Sequence, residues 1–433
     1  MKRREQFTSR LAVVFAMAGS AIGLGNIWRF PYLVGQNGGA AFIFVYIIAV
    51  ALLAIPVFLA ECVIGRRGGS GTFGAMRKLA PGSKYRWAGL VTVVTPVVLL
   101  SFYSVVGGWS VDYLMKACML RFTKDTTGVF DGLLSSAWES IFMHTTFMIG
   151  TAIVILLGVK KGIERFTKVT MPLLFILILV IVIFGLTLPG AGKGVEYLIK
   201  PDFTKITPSV IAAATGQAFF SMSLGVGTIL TYASYVSKEE NLMVSAWGTA
   251  VSDLLFALLA GFAIMPAVFA AGIEPGQGPG LIFDTLPYIF SQMSPWVGAM
   301  VSILFFLSVL VAALTSSISL LEVGVAYLVE EKGISRTKAT IGLAALVWAI
   351  GVACSLSGGV FNFLDHLCSD WLMPFGGVLF AMFVGWKMSK ADVRDELTNG
   401  GTRNIRIFNV AYFLIRYIAP IGVLGIFVTN LLR

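Results

Sequence analysis

The sequence predicts an all-α polytopic membrane protein, and three observations carry that prediction. Charged residues make up 12% of the 433 residues, about half of the ~25% usual in soluble domains. The mean hydropathy is +0.87. Apolar runs long enough to cross the ~30 Å hydrocarbon core of a bilayer recur from one end of the chain to the other.

Eleven such segments are expected, at about 11–33, 40–64, 87–115, 138–158, 169–189, 208–236, 242–272, 295–328, 337–356, 360–386 and 407–431. Those at 87–115 and 295–328 exceed the need of a span and should tilt or protrude. No hydrophilic stretch between them is long enough for a soluble domain, so 1–433 reads as one transmembrane domain. The loop at 273–294 carries Leu281, Ile282, Phe283, Leu286, Ile289 and Phe290 at helical spacing, a short helix folded back as a lid.

The net charge is +10. A nucleic-acid partner is one reading of such an excess, but the distribution points elsewhere. Basic residues concentrate at the N-terminus and in alternate loops, around 66–86, 160–168, 238, 332–338 and 387–406. The loops near 34–40, 273–294 and 357–360 have none. That alternation is the positive-inside bias, with a cytoplasmic N-terminus and, after eleven spans, an external C-terminus. Cys62, Cys118, Cys354 and Cys368 form neither a disulfide framework nor a zinc pattern. Histidines, at 144 and 366, are too few for a histidine-built metal site. No small-residue cleavage site follows the basic start, so the first helix is expected to be uncleaved.

Inside the first segment lies AMAGSAIGLGNIWRFPY, residues 16–32. Gly19, Gly23, Gly25, Asn26 and Arg29 stand where a plain span would carry Leu, Ile and Val. The sixth segment repeats the device in QAFFSMSLGVGTILTYASY, residues 217–235, with Gly225 and Gly227 behind Ser221 and Ser223. Unwound backbone in a bilayer costs several kcal/mol per bare N–H or C=O unless protein, water or ligand satisfies it. Glycine permits that geometry. Freed carbonyls coordinate a cation, and the N–H groups of a half-helix hold a carboxylate. Close packing between helices is the other reading of such glycines. Two matched breaks, each heading a group of five spans, favour a binding site. Five is odd, so the second group enters the membrane from the opposite side. The expectation is a 5+5 inverted repeat, 11–189 and 208–386, with broken helices one and six and an eleventh helix at 407–431.

The same residues carry a resemblance. GLGNIWRFPYLVGQNGGAAF (23–42) resembles the first-helix signature of the neurotransmitter:sodium symporters. FFSMSLGVGTILTYASY (219–235) resembles their sixth helix and ALTSSIS (313–319) their eighth. The match covers nearly the whole chain in order and implies the LeuT-type fold. The chain has no twelfth span and no large extracellular loop, unlike the animal members. It is similar to the bacterial amino-acid transporters of the family, which implies the bacterial plasma membrane.

The resemblance implies two sodium sites. The first takes the Ala21 carbonyl, the Asn26 side chain, Ser221 and a seventh-helix ligand. Asp253 stands where the family supplies an Asn, with Ser252 the alternative one residue away. The second site takes the carbonyls of Gly19, Ile22 and Ala312 with the hydroxyls of Thr315 and Ser316. Back-bonding to the preceding turn is the other role open to those hydroxyls. Animal relatives need chloride near the counterparts of Tyr46, Gln217 and Ser221. A carboxylate at Asp253 would bring that negative charge itself, so no chloride requirement is expected.

The implied substrate is an amino acid. Its carboxylate meets the N–H groups of Gly23 to Gly25 and the Tyr103 hydroxyl; its amine meets carbonyls near Ala21, Phe220 and Ser223. Phe220 and Tyr103 would form an aromatic lid. The side walls at matching positions are Leu99, Val226, Ser319 and Leu320, with Ser20, Ser221, Ser223 and Ser316. That lining is uncharged, and an acidic or basic side chain would be left unpaired at high cost. Neutral hydrophobic L-amino acids are expected, tyrosine- or tryptophan-like first and branched-chain next. Arg29 is too costly to face lipid unpaired. Its implied gate partner is Asp365, with Asp370 competing. Arg4 and Glu330 match the pair on the cytoplasmic face, with Glu331 equally placed; Glu61 reads as a structural acid.

The expected function is sodium-coupled symport by alternating access. One charge crossing 100 mV is worth ~2.3 kcal/mol, and a tenfold sodium gradient adds ~1.4 kcal/mol. No Gly-x-x-x-x-Gly-Lys-Ser/Thr loop is present, so ATP is not the energy source. An ion channel and a non-catalytic receptor of the same fold are the alternatives, but two non-identical broken helices imply one occluded pocket. An enzyme is disfavoured: Asp253, Glu61 and Glu322 are apolar-segment acids without a paired-aspartate or Ser–His constellation.

Overall fold

The first span begins at Arg10, and its side of the molecule is termed the near face. The computed structural model describes residues 6–123, 126, 128–274 and 280–431; Arg4 lies outside the described residues. Among the described residues nine helices are long and apolar enough to cross a membrane: Ala40–Gly68, Tyr85–Cys118, Ala137–Leu156, Val159–Leu186, Leu242–Ala270, Pro295–Lys332, Arg336–Leu356, Gly358–Lys387 and Ile405–Val428. Two broken spans complete the eleven. The first runs Arg10–Ala21 and Gly25–Gln36, bent by 53°. The sixth runs Pro208–Ser221 and Thr228–Ala233.

Local chemistry explains where these helices stop. Ser9, Thr207, Asn241 and Ser357 cap helix starts through side-chain oxygens that accept backbone N–H bonds. Gly69 and Gly333 end the second and eighth spans in the left-handed region. The fifth span starts at Val159, ten residues before the apolar run suggested, because the basic stretch after Gly158 is helical too. The eighth continues to Lys332 for the same reason: its last turns leave the apolar layer without losing helix propensity.

Burial separates a centre from a rim. The third span buries 72% of its most apolar window, whereas the ninth and eleventh each bury 33% and present the rest outward. Around that centre the breaks are pinned by protein groups. Ile22 leaves the first helix in extended conformation (ψ 105°), and the chain rewinds at Gly25 through one wide turn. In the sixth span Ser223, Gly225 and Gly227 all take positive φ. Glu61 of the second span accepts the Gly225 N–H at 2.8 Å and the Leu230 N–H at 3.3 Å, one on each carboxylate oxygen. This buried acid therefore satisfies the backbone that unwinding frees. The loop helix Leu281–Ser291 lies at the far face, with Phe283 packed between Tyr113 (5.0 Å) and Phe130 (5.3 Å).

Candidate functional site

Three contacts bring the two breaks together in the middle of the molecule. The Asn26 amide donates to the Ser221 hydroxyl at 2.9 Å. Ser223 donates its hydroxyl to the Ser20 carbonyl at 2.7 Å. A Cβ at Gly25 would stand 2.9 Å from the Phe220 ring, so only glycine fits that approach. Gly23 is equally confined: a Cβ there would collide with the Ser316 hydroxyl and lie 3.1 Å from that of Tyr103. The glycines thus serve close packing as well as unwinding.

Asp253 lies at this junction, fully buried. Its carboxylate accepts from Asn26 Nδ2 at 2.8 Å and from Ser221 Oγ at 2.9 Å, with the Tyr46 hydroxyl 3.4 Å away. Ser252 turns away and donates to the Gly248 carbonyl at 2.7 Å. Of the two candidates, Asp253 is the one the fold brings to Asn26 and Ser221. Asn26 Oδ1 accepts the Gly23 N–H at 3.1 Å, tying the amide across the first break. Gln217 donates to the Gly25 carbonyl at 2.8 Å, steadying the same turn from the sixth span.

A second group of oxygens gathers where the first break meets the eighth span. Thr315 Oγ1 lies 2.9 Å from the Ala312 carbonyl and 3.3 Å from that of Ile22. Back-bonding and facing the break are therefore the same posture. Ser316 donates to the Ser20 carbonyl at 3.3 Å. Gly19 packs towards the fifth span, where a Cβ would stand 3.1 Å from Thr167. All these donors are hard oxygens, the set that alkali and alkaline-earth cations take.

Between the two groups is a cavity of about 20 Å³, lined by Ala21, Gly23, Gly25, Leu99, Tyr103, Phe220, Ser223, Ser316 and Leu320. Leu24, inside the expected Gly23 to Gly25 stretch, lines it as well, and so does Met373, which was not expected. Tyr103 reaches the first break, its hydroxyl accepting the Leu24 N–H at 3.4 Å. Four expected wall residues are absent from this lining. Ser20 and Ser319 bond one another at 2.9 Å, and Ser221 is turned to Asp253. Val226 is fully buried between Gly225 and Gly227, whose left-handed φ angles of 78° and 76° swing that backbone away. Gly225 is also pressed against the tenth span, where a Cβ would collide with the Met373 carbonyl. That interlock is what places the Met373 side of the tenth span at the cavity.

Above the cavity, on the far side, a larger one of about 380 Å³ opens. Phe220 and Tyr103 line both, so they form the partition between them. Arg29 and Asp365 line the larger cavity. The Arg29 guanidinium lies over the Phe220 ring, 4.6 Å from its centroid. Asp365 accepts from Ser369 at 3.1 Å and, among the described residues, makes no ion pair with Arg29. Asp370 pairs with His366 at 3.0 Å. On the near side Glu330 accepts the Gly71 N–H at 2.8 Å, while Glu331 pairs with Arg77 at 2.8 Å.

Sequence comparison agrees with this architecture. The model of the sodium:neurotransmitter symporter family matches residues 4–130 and 131–433. The chain is 37% identical to an uncharacterized sodium-dependent transporter of Bacillus subtilis, over 98% of this chain and 96% of the relative. It is 36% identical to an uncharacterized sodium-dependent transporter of Haemophilus influenzae, over 99% of each. Among solved structures it is similar to MhsT in complex with L-phenylalanine, with a TM-score of 0.92, 41% identity and coverage of 99% of this chain and 100% of that one.

Proposed function

Because the chain belongs to the sodium:neurotransmitter symporter family, we propose that it imports neutral hydrophobic or aromatic L-amino acids together with sodium. It is an integral membrane transporter of the LeuT-type fold and not an enzyme. The observation that carries the finer reading is the Asn26–Ser221–Asp253 cluster, one buried carboxylate where two unwound helices meet. A buried carboxylate with only neutral donors around it is a strong attractor for a cation. Sodium would occupy this cluster with the Ala21 carbonyl, after the Asn26 amide turns its oxygen from Gly23 towards Asp253. A second sodium would take the carbonyls of Gly19, Ile22 and Ala312 with the hydroxyls of Thr315 and Ser316.

With Asp253 supplying the negative charge, transport needs no chloride. The substrate's carboxylate would lie against Gly23 to Gly25 and Tyr103, and its side chain against Leu99, Leu320 and Met373. The uncharged lining favours neutral side chains. The L-phenylalanine bound by the similar MhsT supports an aromatic preference, with branched-chain substrates next. Room for a ring requires Phe220 to swing towards the larger cavity, which opens the partition. Arg29 with Asp365 would then close the far side, and Glu330 with Arg4 the near side. The groups 11–189 and 208–386 are the repeats that rock, with 407–431 outside them. The basic near-face loops support a cytoplasmic near face in a bacterial plasma membrane.

Uptake into proteoliposomes tests this reading. Sodium-dependent phenylalanine, tyrosine or tryptophan uptake should outcompete leucine, ignore glutamate and lysine, and persist when gluconate replaces chloride. Collapse in gluconate at constant sodium would overturn the role given to Asp253. Asp253→Asn should lower sodium affinity by about tenfold or more, as loss of a buried charge contact of ≥ ~1.4 kcal/mol does.

A further inference from the structure

Several cations of the near half meet carboxylates. Arg66 pairs with Glu396 at 2.6 Å, Arg77 with Glu331 at 2.8 Å and Arg336 with Glu322 at 2.5 Å. One patch departs from that pattern. Arg416 of the eleventh span stacks over Trp386 at 4.9 Å and Tyr417 at 5.4 Å, and its Nη1 lies 3.5 Å from the Tyr412 hydroxyl. Its Nε is buried and has no hydrogen-bond partner among the described residues. No carboxylate reaches it there. Trp386, itself 57% exposed, donates its indole N–H to the Arg416 carbonyl at 2.9 Å, which holds the aromatic wall in place.

Other cations without acid partners among the described residues lie at the near ends of the neighbouring spans. Gly385 abuts the Arg416 backbone, a Cβ there standing 2.8 Å from Arg416 Cα, and Lys387 ends the tenth span two residues on. Phe383, just before, packs on Tyr85 of the third span at 5.2 Å. That contact joins the near ends of the third and tenth spans, where Lys84 and Arg86 flank Tyr85 and Lys387 follows Phe383. Among the described residues none of the four cations forms an ion pair; Arg86 instead covers the Trp87 ring at 5.3 Å. From Lys84 a groove of about 340 Å³ runs between the third and tenth spans, walled by Trp87, Val91, Phe375 and Leu379. Trp87 and Phe375 are 54% and 44% exposed, so the groove opens on the outer surface of the bundle.

An arginine at the edge of the hydrocarbon layer is costly without an anion. Exposed tryptophans beside lysines at a helix end are the signature of the headgroup level. A soluble anion would satisfy the charges and leave the groove to be filled by something else. A single amphiphile satisfies both. We propose that an anionic phospholipid docks here, its phosphate on Arg416 and Lys387, flanked by Lys84 and Arg86, with one acyl chain in the groove. The walls of that groove belong to the two spans that place Leu99, Tyr103 and Met373 at the central cavity. The lipid would therefore bear on the packing of spans that shape the site, whatever substrate that site takes.

Native mass spectrometry of the purified full chain with phosphatidylglycerol or phosphatidylcholine tests the site. The parent protein should retain phosphatidylglycerol preferentially. Arg416→Gln should lower that retention about fivefold, Lys84→Gln by a similar or smaller factor, and Arg416→Lys should keep most of it. Phosphatidylcholine retention should not change. Lys84 is exposed, so its variant reports even where Arg416→Gln does not fold. Equal retention of the two lipids by the parent, or unchanged phosphatidylglycerol retention in both glutamine variants, would overturn the proposal. Displacement of the lipid by millimolar glycerol 3-phosphate would also overturn it, assigning the cations to a soluble phosphate.

Discussion

The two faces of this transporter are built differently. On the near face several buried charges are held in pairs. Arg336 holds the fully buried Glu322 with both terminal nitrogens, at 3.1 and 2.5 Å, and Tyr235 donates to the same carboxylate at 2.8 Å. Arg66 is buried on Glu396, Arg67 reaches Asp392, Asp395 and Glu396, and Thr8 bonds Glu164, which also holds Lys168. Phe7 packs edge-on against Tyr232 and Tyr235 at 6.0 and 6.1 Å, bringing the start of the chain onto the sixth span. On the far face a cavity of about 380 Å³ separates Asp365 from an Arg29 stacked on Phe220. The near face holds desolvated pairs; on the far face Lys116 pairs with Asp112 at 2.6 Å, but the two charges that line the cavity, Arg29 and Asp365, stand apart.

Under the proposed alternating access, the work falls unevenly on the two faces. Opening the near face means separating buried charges, and breaking such a pair by removing one partner costs about 3–5 kcal/mol. Closing the far face brings two half-exposed charges together, a gain of ~1 kcal/mol or less in water that grows as the cavity dries. The imbalance favours the far-open state until sodium and substrate alter it, since a ligand shifts an equilibrium only by its differential affinity.

The sharpest way to break the contrast is to unlock the near face. Arg336→Gln leaves Glu322 buried with only Tyr235 beside it. It should cost about 3–5 kcal/mol of near-face closure and lower uptake by tenfold or more. Cysteine-accessibility labelling should show near-side positions exposed and far-side positions protected. Parent-like accessibility at both faces would mean that Glu322–Arg336 is not the lock.

The far face gives the next effect. Asp365→Ala should lower uptake several-fold while leaving equilibrium substrate affinity within about twofold, because Asp365 lines the outer cavity and not the central one. Asp370→Ala should do less, since that residue is engaged by His366. Uptake by Asp365→Ala equal to the parent's would remove it from the gate.

A third comparison tests the cavity wall. Met373→Ala should change the ranking of aromatic against branched-chain substrates by several-fold, through lost contact with a polarizable thioether. Val226→Ala should leave the ranking nearly intact. This is also where the sequence was least legible. The eleven spans could be read because hydropathy is a local signal, and the two breaks because glycine, asparagine and arginine are conspicuous in apolar runs. The gathering of Asn26, Ser221 and Asp253 was expected, but only the fold separated Asp253 from Ser252 by turning one inward and back-bonding the other. Val226 does not line this cavity, and the two left-handed glycines on either side of it set its backbone by a rotation no periodicity reports. Met373 was missed because its position depends on Gly225 meeting the tenth span almost 150 residues later.

The smallest expected effect concerns the near face's neighbouring acids, Glu330 and Glu331, which the sequence left equivalent. The fold gives them different duties. Glu331 pairs with Arg77, whose side chain is 53% exposed against 9% for Glu331, so water screens the bridge from the arginine side and it is worth about 1 kcal/mol. Glu330 instead accepts the Gly71 N–H at the turn between the second and third spans, at 2.8 Å. Removing its charge would leave that N–H with a weaker acceptor and take the acid from the proposed near-side gate. Glu331→Gln should therefore change uptake by less than about twofold and shift the melting temperature by only a few degrees. Glu330→Gln should lower uptake by more, with labelling shifted towards the near-open state. The informative measurement is the pair, assayed in the same proteoliposomes. If Glu331→Gln lost as much uptake as Glu330→Gln, the gate acid would be Glu331, and the Arg77 bridge would belong to the lock.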